Sequence, residues 1–283
     1  MSKRKFNNVG LFYNPKHFKS LKPLKKKLET LMDNRFNLYV LAQQKNGIFK
    51  NINYVDSFKN EQIDLVIGFG GDGTMLEILK HVLKENIPVL GFNHGKVGFL
   101  SECEKNEFAE VIDKLMHNQF KIEKRNVLEC NVNDKKYFAI NDIEINRGDL
   151  PHTININAYL DKNLLFRIIG DGVIVATPTG STAYSMAAGG SVLHPECNSF
   201  IITPNNPHNQ FSKPVVVSAS TNIVLEFVKE EHKAIMNIDG VNVCELSGNE
   251  RILLKNSNYL CKFIKLAGKD FCRIIRQKFN FGA

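Results

Sequence analysis

One segment joins an apolar run, a cluster of glycines and a helical pattern, and it reads Ile63-Asp64-Leu65-Val66-Ile67-Gly68-Phe69-Gly70-Gly71-Asp72-Gly73-Thr74-Met75-Leu76-Glu77-Ile78-Leu79. The apolar run predicts a buried strand, and the spacing after Thr74 predicts a helix that reaches Lys84. Free backbone N–H groups at such a strand-to-helix turn bind anions, and the helix dipole adds to the attraction. We therefore expect a phosphate loop made of Gly70, Gly71, Gly73 and Thr74.

Asp72 lies in the centre of this loop. A carboxylate next to a phosphate is unfavourable unless it holds a cation or accepts a proton, so its position favours phosphoryl transfer with Asp72 as the catalytic base. The alternative is that Asp72 only caps the helix, since Asp is a preferred N-cap residue. The Walker lysine is absent, and Asn93 and His94 stand where a dinucleotide-binding fold would place an acidic residue. A P-loop kinase and a dehydrogenase are therefore disfavoured.

The pattern along the chain changes near residue 121. Strand-like and helix-like segments alternate up to Met116, which predicts an α/β domain with a parallel sheet over residues 1–120. Alternating β-branched segments follow, including a single strand from Tyr137 to Asn146, and they predict an all-β domain over residues 121–267. A small helix from Ala183 to Gly189 is expected inside it. The helical pattern returns at residues 268–283, which we expect to join the first domain.

Composition narrows the class of protein. The chain has 283 residues, 43% hydrophobic residues and a net charge of +8, as in a globular protein of about two domains that suits polyanionic ligands. No apolar run is long enough to span a bilayer, and no apolar segment follows Lys3-Arg4-Lys5, so we expect a cytoplasmic protein without membrane or nucleic-acid partners. The six scattered cysteines predict reduced thiols and no structural metal. Lysines 22, 25, 26 and 27 are expected on the solvated face of a helix.

A second informative block reads Gly170-Asp171-Gly172-Val173-Ile174-Val175-Ala176-Thr177-Pro178-Thr179-Gly180-Ser181-Thr182-Ala183-Tyr184-Ser185. Its hydroxyl groups, exposed backbone and flat tyrosine suit a nucleoside, although an ordinary strand-to-helix loop would have a similar composition. No G-x-S-x-G pattern is present, so a serine hydrolase is disfavoured.

These motifs carry a family resemblance. Gly70-Gly71-Asp72-Gly73-Thr74 resembles the GGDGT motif of NAD kinases, diacylglycerol and sphingosine kinases and, more loosely, 6-phosphofructokinases. The block from Gly170 to Ser185 resembles the DG-x-x-x-x-TPTGSTAY signature of NAD kinases. Other segments resemble the same family in the same order: Gly91 to Leu100, Asn141 to Gly148, Ile202 to Val217, and Phe271 to Lys278.

The resemblance implies a two-domain NAD kinase with its active site in the cleft between the domains. It implies transfer of the γ-phosphate of ATP to the 2'-hydroxyl of the adenosine ribose of NAD, with Asp72 as general base and a divalent metal, most simply Mg²⁺, held by the ATP phosphates and not by permanent protein ligands. It also implies a homodimer or homotetramer. The residues that it assigns to NAD binding are Asp72, Gly73, Phe99, Asn141, Asp142, His152, Asp171, Thr182, Ala183, Tyr184 and Ser185.

Two departures and two rival classes complete the prediction. Asp142 stands where the family has Glu, so ribose binding needs a closer approach or help from Glu144, and Val241 stands where Gln is frequent. Asp142 and Glu144 could instead lie on an exposed polar strand face. Lys96 and Arg147 are candidates for the positive charge that the glycine loop lacks. A lipid kinase and a non-catalytic dinucleotide-binding regulator remain as alternatives.

Overall fold

A computed structural model describes residues 5–13, 22–44, 52–93, 98–101, 103–149, 151–208, 212–228, 233–266 and 271–279. The chain divides into two compact units, which are residues 1–124 with 261–283 and residues 125–260. Each unit builds its own core. Across the described ranges, the helices are too short or too polar to cross a membrane.

The first unit is built on a parallel sheet. Its strands lie in the order β5, β4, β1, β2 and β3, and every neighbouring pair among them is parallel. The elements of this unit, in chain order, are β1 (Asn8–Tyr13), α1 (Lys22–Asp33), β2 (Asn37–Leu41), β3 (Asn53–Val55), β4 (Leu65–Phe69), α2 (Asp72–Val82), β5 (Val89–Asn93), β6 (Cys103–Glu104), α3 (Phe108–Met116) and the later α5 (Phe271–Phe279). The sheet is buried on both faces, because β4 and β5 carry only buried residues.

Helix α2 is anchored by its apolar side. Met75, Ile78, Leu79 and Val82 are buried at helical spacing, so the first turn of the helix is fixed at the end of β4. One lysine of α1 departs from the predicted solvated face: the Nζ atom of Lys27 lies 4.3 Å from the centre of the Phe108 ring, where the electron-rich face attracts a cation.

The second unit contains β-strands in two antiparallel arrays. Strands β14, β13, β12, β9, β16 and β17 form one sheet in that order. Strands β11, β10, β15 and β18 are adjacent in the other array, where β7 pairs with β18 and with β8. Their bounds are β7 (Lys121–Val132), β8 (Lys135–Ala139), β9 (Asp142–Asn146), β10 (Ile154–Leu160), β11 (Asn163–Gly170), β12 (Gly172–Ala176), β13 (Ser199–Asn205), β14 (Val215–Ser218), β15 (Ile223–Phe227), β16 (Ala234–Ile238), β17 (Val241–Leu246) and β18 (Arg251–Lys265), with helix α4 (Tyr184–Ala187) after β12.

A large apolar cluster lies between these two arrays. It is formed by alternate residues of each strand, among them Ile143 and Val173 from the six-stranded sheet and Ile156 and Leu225 from the other array. The opposite face of the six-stranded sheet carries a smaller cluster of Ile174, Ala176 and Ile201. The residues between the core positions of β9, including Asp142 and Glu144, therefore point to this second face.

The fold class predicted from the sequence is confirmed, since an α/β unit with a parallel sheet is followed by an all-β unit. Two details of the prediction are wrong. The strand expected from Tyr137 to Asn146 is broken at Ile140 and Asn141, because their N–H groups turn to a carboxylate of another hairpin. The helix expected from Ala183 to Gly189 is shorter and spans Tyr184–Ala187, because Gly189 has a φ of +90° and ends it.

Candidate active site

Asp72 is the first residue of helix α2, and its side chain is directed away from that helix. The N-cap is Gly71, which has no side chain to offer, and the Asp72 carboxylate makes no cap hydrogen bond of its own. It reaches instead to the segment 98–101, where the N–H groups of Phe99 and Leu100 donate to it over 3.0 and 2.9 Å. The alternative of a simple helix cap therefore does not describe Asp72.

The segment 98–101 is shaped around this carboxylate. A methyl group added to Gly98 would lie 2.0 Å from the Asp72 Oδ1 atom, so only glycine fits at this distance. The hydroxyl of Ser101 lies 3.4 Å from the same oxygen and accepts a hydrogen bond from the side-chain amide of Asn93 over 3.1 Å. Asp72 is thus held by groups from β5 and from the segment after it.

A cation completes the surroundings of Asp72. The Nζ atom of Lys278, on helix α5, lies 3.1 Å from the Oδ2 atom of Asp72. The same Nζ atom lies 4.5 Å from the centre of the Phe99 ring, and the rings of Phe271 and Phe279 stand 6.5 and 5.7 Å from that ring. Aromatic contacts therefore hold the C-terminal helix where its lysine meets the carboxylate.

These contacts determine the charge of Asp72. Burial alone would raise the pKa of its carboxyl group, but the Leu100 amide, the Lys278 ammonium and the Phe99 amide together outweigh burial and hold the pKa below its ordinary value. Asp72 is consequently a carboxylate at neutral pH. Its side chain keeps 31% of its surface exposed, so a ligand can reach it.

The glycine loop next to Asp72 is open. Added methyl groups at Gly71 and Gly73 would have no atom of the described residues within 4 Å, whereas one at Gly70 would lie 2.1 Å from the Oγ1 atom of Thr74. Gly70 is therefore required for packing of the turn, and Gly71 and Gly73 leave the backbone at the helix N-terminus accessible. Accessible N–H groups at that end of a helix suit a phosphate.

In the second unit, the carboxylate of Asp239 shapes the start of β9. Asp239 and Gly240 have φ angles of +47° and +76° and form the two-residue turn between β16 and β17, as expected for an Asp-Gly pair. The Asp239 carboxylate accepts the N–H groups of Ile140, Asn141 and Asp142 over 3.0, 2.7 and 3.2 Å.

The turn after β12 fixes the same residues from the other side. The Thr177 hydroxyl donates to the carbonyl of Ile140 over 2.6 Å, and the Thr177 amide donates to the carbonyl of Asn141 over 2.8 Å. A methyl group on Gly180 would lie 2.1 Å from that Asn141 carbonyl oxygen. The signature block and Asn141 are thus brought together by backbone contacts.

Asp142 and Glu144 are buried, with 6% and 7% of their surfaces exposed, so the alternative of an exposed polar strand face is wrong. The side-chain amide of Asn237 donates to Glu144 over 2.9 Å. Burial, together with the nearby carboxylates of Asp239 and Glu144, raises the pKa of Asp142 to about 7. Asp142 therefore holds its proton to a much higher pH than an ordinary aspartate does.

Asp171 and Tyr184 are connected through the end of β13. The side-chain amide of Asn205 donates to the Tyr184 hydroxyl over 2.9 Å, and that of Asn206 donates to Asp171 over 3.1 Å. Arg147 pairs with Asp171 over 2.7 Å. The Asn206 hydrogen bond and the Arg147 contacts together outweigh burial and hold the pKa of Asp171 below its ordinary value.

The remaining predicted residues have different surroundings. Tyr184 is 44% exposed, and Thr182 and Ala183 are half-buried beside it. Ser185 is fully buried, and its hydroxyl shares a hydrogen bond of 2.8 Å with the Thr203 hydroxyl, so it joins α4 to β13. His152 is exposed in the loop between β9 and β10. Lys96, one of the two candidate cations, lies outside the described residues.

The structure also brings forward residues that the sequence-based prediction had not assigned. Lys278 lies in the C-terminal segment that resembles the family, but no local pattern connects it to a loop 206 positions earlier. Asp239 had a signal, since Asp-Gly between two strand patterns predicts a hairpin turn. Thr177 lies in the signature block, but its hydroxyl faces protein carbonyl groups.

No group of three or more His, Cys, Asp or Glu side chains among the described residues could hold a metal ion. The oxygens of Asp72 accept hydrogen bonds from main-chain amides and from Lys278. This donor set does not fit a metal held by the protein alone.

A glycine loop with a partly buried, deprotonated Asp, followed by an all-β unit with a hydroxyl-rich turn, defines the class as a phosphotransferase of the GGDGT type. The family models for the ATP-NAD kinase N-terminal and C-terminal domains match residues 9–120 and 140–266. The chain belongs to the NAD kinase family, as its sequence motifs had predicted.

Relatives and solved structures agree with this assignment. The NAD kinase of Clostridium botulinum (strain Kyoto / Type A2) is 34% identical over 244 residues, which cover 85% of this chain and 86% of that protein. Yeast NADH kinase complexed with NADH superposes with a TM-score of 0.86 at 25% identity, covering 99% of this chain and 89% of that one. The Archaeoglobus fulgidus NAD kinase in complex with ATP gives 0.76 at 27% identity, covering 96% and 97%.

Proposed function

We propose that this protein phosphorylates NAD with ATP and that Asp72 is the general base of the reaction. The observation that carries the proposal is the carboxylate of Asp72, which is deprotonated, partly exposed and adjacent to an open glycine loop at a helix N-terminus. Family membership supports the substrates. The surroundings of Asp72 support its role.

The chemical step moves one proton and one phosphoryl group. The 2'-hydroxyl of the adenosine ribose of NAD donates its proton to Asp72, its oxygen forms a bond to the γ-phosphorus of ATP, and the bond from that phosphorus to the bridging oxygen breaks to release ADP. The transition state of phosphoryl transfer is loose, so the proton leaves late and a base of low pKa is sufficient. Backbone N–H groups at Gly71 and Gly73 would bind phosphate oxygens.

The second unit would bind NAD. Asn141 and Asp142 are assigned to the ribose, Asp171 to the nicotinamide end, and Tyr184 to a stacking contact, while Thr182, Ala183 and Ser185 build the pocket. The contacts through Thr177, Gly180 and Asp239 support this assignment, because they fix the backbone at Asn141. His152 and Phe99 remain proposed contacts.

Three further features are part of the proposal. Mg²⁺ would be carried by the ATP phosphates and offset their charge, since the described residues do not form a metal cluster. The protein would work in the cytoplasm. It would assemble as a homodimer or homotetramer, as the family resemblance implies.

The test is a coupled assay of NADP formation from NAD, ATP and Mg²⁺. We expect the wild type to turn over and Asp72→Asn to lose about 3 kcal/mol of transition-state stabilisation, which is more than about a hundredfold in rate. Glu77→Gln is the matched control, because Glu77 is an exposed carboxylate on the same helix. A wild type that binds NAD without forming NADP would replace the proposal with the regulator alternative.

A further inference from the structure

The glycine loop lacks a lysine of its own, and a distant one takes that place. Lys278 comes from helix α5, yet its Nζ atom lies 3.1 Å from Asp72 at the start of helix α2. Both residues belong to the first unit. We propose that Lys278 is the cation of the phosphate loop, which holds Asp72 in place in the free protein and binds the transferred phosphoryl group during the reaction.

Charge balance explains why such a cation is needed. A lone carboxylate would repel the phosphates of ATP, whereas the Asp72 and Lys278 pair carries no net charge. When Asp72 accepts a proton, it stops attracting the ammonium group, which then has the negative phosphoryl oxygens as its best partner. The cation therefore becomes available at the moment when charge develops on the transferred group.

The surroundings of Lys278 fit this role. Its side chain is 28% exposed, and its ammonium group lies 4.5 Å from the centre of the Phe99 ring. The ammonium group is therefore held in place while a ligand can still reach it. Phe99 also donates its N–H to Asp72, so one residue orients both the acid and the cation. Arg276, on the same helix, is exposed and has no ion pair among the described residues.

The inference rests on the proposed function, and kinetic constants for three variants test it. We expect Lys278→Gln to lower kcat about 100-fold while the KM for NAD stays within about twofold. Lys278→Arg keeps the charge and should remain within about tenfold of the wild type. Arg276→Gln removes an equal charge from the same helix and should leave kcat unchanged.

A second readout separates a direct role from a structural one. Without the ammonium group, the acid limb of the pH profile of kcat/KM for ATP should move to higher pH, because Asp72 then binds its proton more tightly. Melting curves show whether each variant is folded. If Lys278→Gln does not fold, Lys278→Met replaces it, since its apolar stem still covers Phe99.

Several results would overturn the inference. A folded Lys278→Gln enzyme with wild-type or higher kcat would show that the lysine is dispensable or restrains Asp72. Equal losses in Lys278→Gln and Arg276→Gln would indicate a general effect of net charge. An inactive wild type would instead disprove the proposed function, so the two failures are distinguishable.

Discussion

Asp72 and Asp142 are the same side chain in two opposite environments. Asp72 faces two close amide N–H groups and an ammonium group, and its pKa lies below the ordinary value. Asp142 is more deeply buried and faces the carboxylates of Asp239 and Glu144, which together with burial raise its pKa to about 7. Neighbouring groups, and not burial alone, decide whether the pKa of a carboxyl group lies below or above its ordinary value.

Gly180→Ala should disrupt the surroundings of Asp142 more severely than any other substitution considered. Its methyl group would lie 2.1 Å from the carbonyl oxygen of Asn141, and neither backbone segment can easily move. We expect a loss of about 3 kcal/mol in the free energy of unfolding, together with loss of NAD binding. Urea denaturation measures the first and calorimetric titration the second.

Gly73→Ala is the matched control for that substitution. Gly73 lies in the first turn of α2, and within the part of the chain that the structure describes a methyl group there would meet no atom within 4 Å. The free energy of unfolding of Gly73→Ala should be unchanged or rise by about 0.5 to 1 kcal/mol, because alanine favours a helix more than glycine does. Equal destabilisation by both substitutions would contradict the close packing at Gly180.

The two aspartates should give opposite dependence of stability on pH. The folded protein keeps the Asp142 proton up to about pH 7, whereas an unfolded chain releases it near its ordinary value, so unfolding releases a proton between these limits. Asp142 therefore lowers stability as pH rises through this window. We expect Asp142→Asn to raise the free energy of unfolding by about 2 kcal/mol at pH 8 and to have little effect at pH 4.

Asp72→Asn should behave in the opposite way. A depressed pKa contributes stability above the pKa of the unfolded chain, and this contribution is lost as pH falls through the folded pKa. Asp72→Asn should thus be destabilised by about 1 to 3 kcal/mol at pH 7, since amide and ammonium donors lose a charged acceptor. Denaturation at several pH values measures the free energy of unfolding of both variants. If both substitutions change it in the same direction at neutral pH, the comparison is contradicted.

The sequence predicts much of this fold because its signals are local. The strand, glycines and helix around Asp72 follow one another in the chain, and alternation identifies the β unit. Contacts between segments that are far apart in the chain leave no such local pattern, so the sequence does not predict them. Lys278 meets Asp72 only through helix packing, and the burial of Asp142 depends on neighbours from β12 and β16. Side-chain environment, and with it the pKa, could not be read from spacing.

The smallest effect is expected at the ion pair of Arg147 and Asp171. Both side chains are about one third exposed, at 32% and 31%, so water and salt screen the pair. Arg147→Gln should lower the free energy of unfolding by about 0.5 kcal/mol, and less at 1 M salt. Lys233→Gln, at the more exposed pair with Glu245, is the control and should change less. A large loss that persists in salt would indicate a structural role for Arg147.

The central claim is that Asp72 takes the proton in the transfer step, and single-turnover kinetics test it most directly. The rate of NADP formation by wild type and Asp72→Asn would be measured with saturating ATP, beside the Kd of each for NAD. We expect the single-turnover rate of the variant to fall more than about a hundredfold while its Kd for NAD changes less than about threefold. An unchanged rate in a folded variant, or a loss confined to NAD affinity, would contradict the assignment of Asp72 as the base.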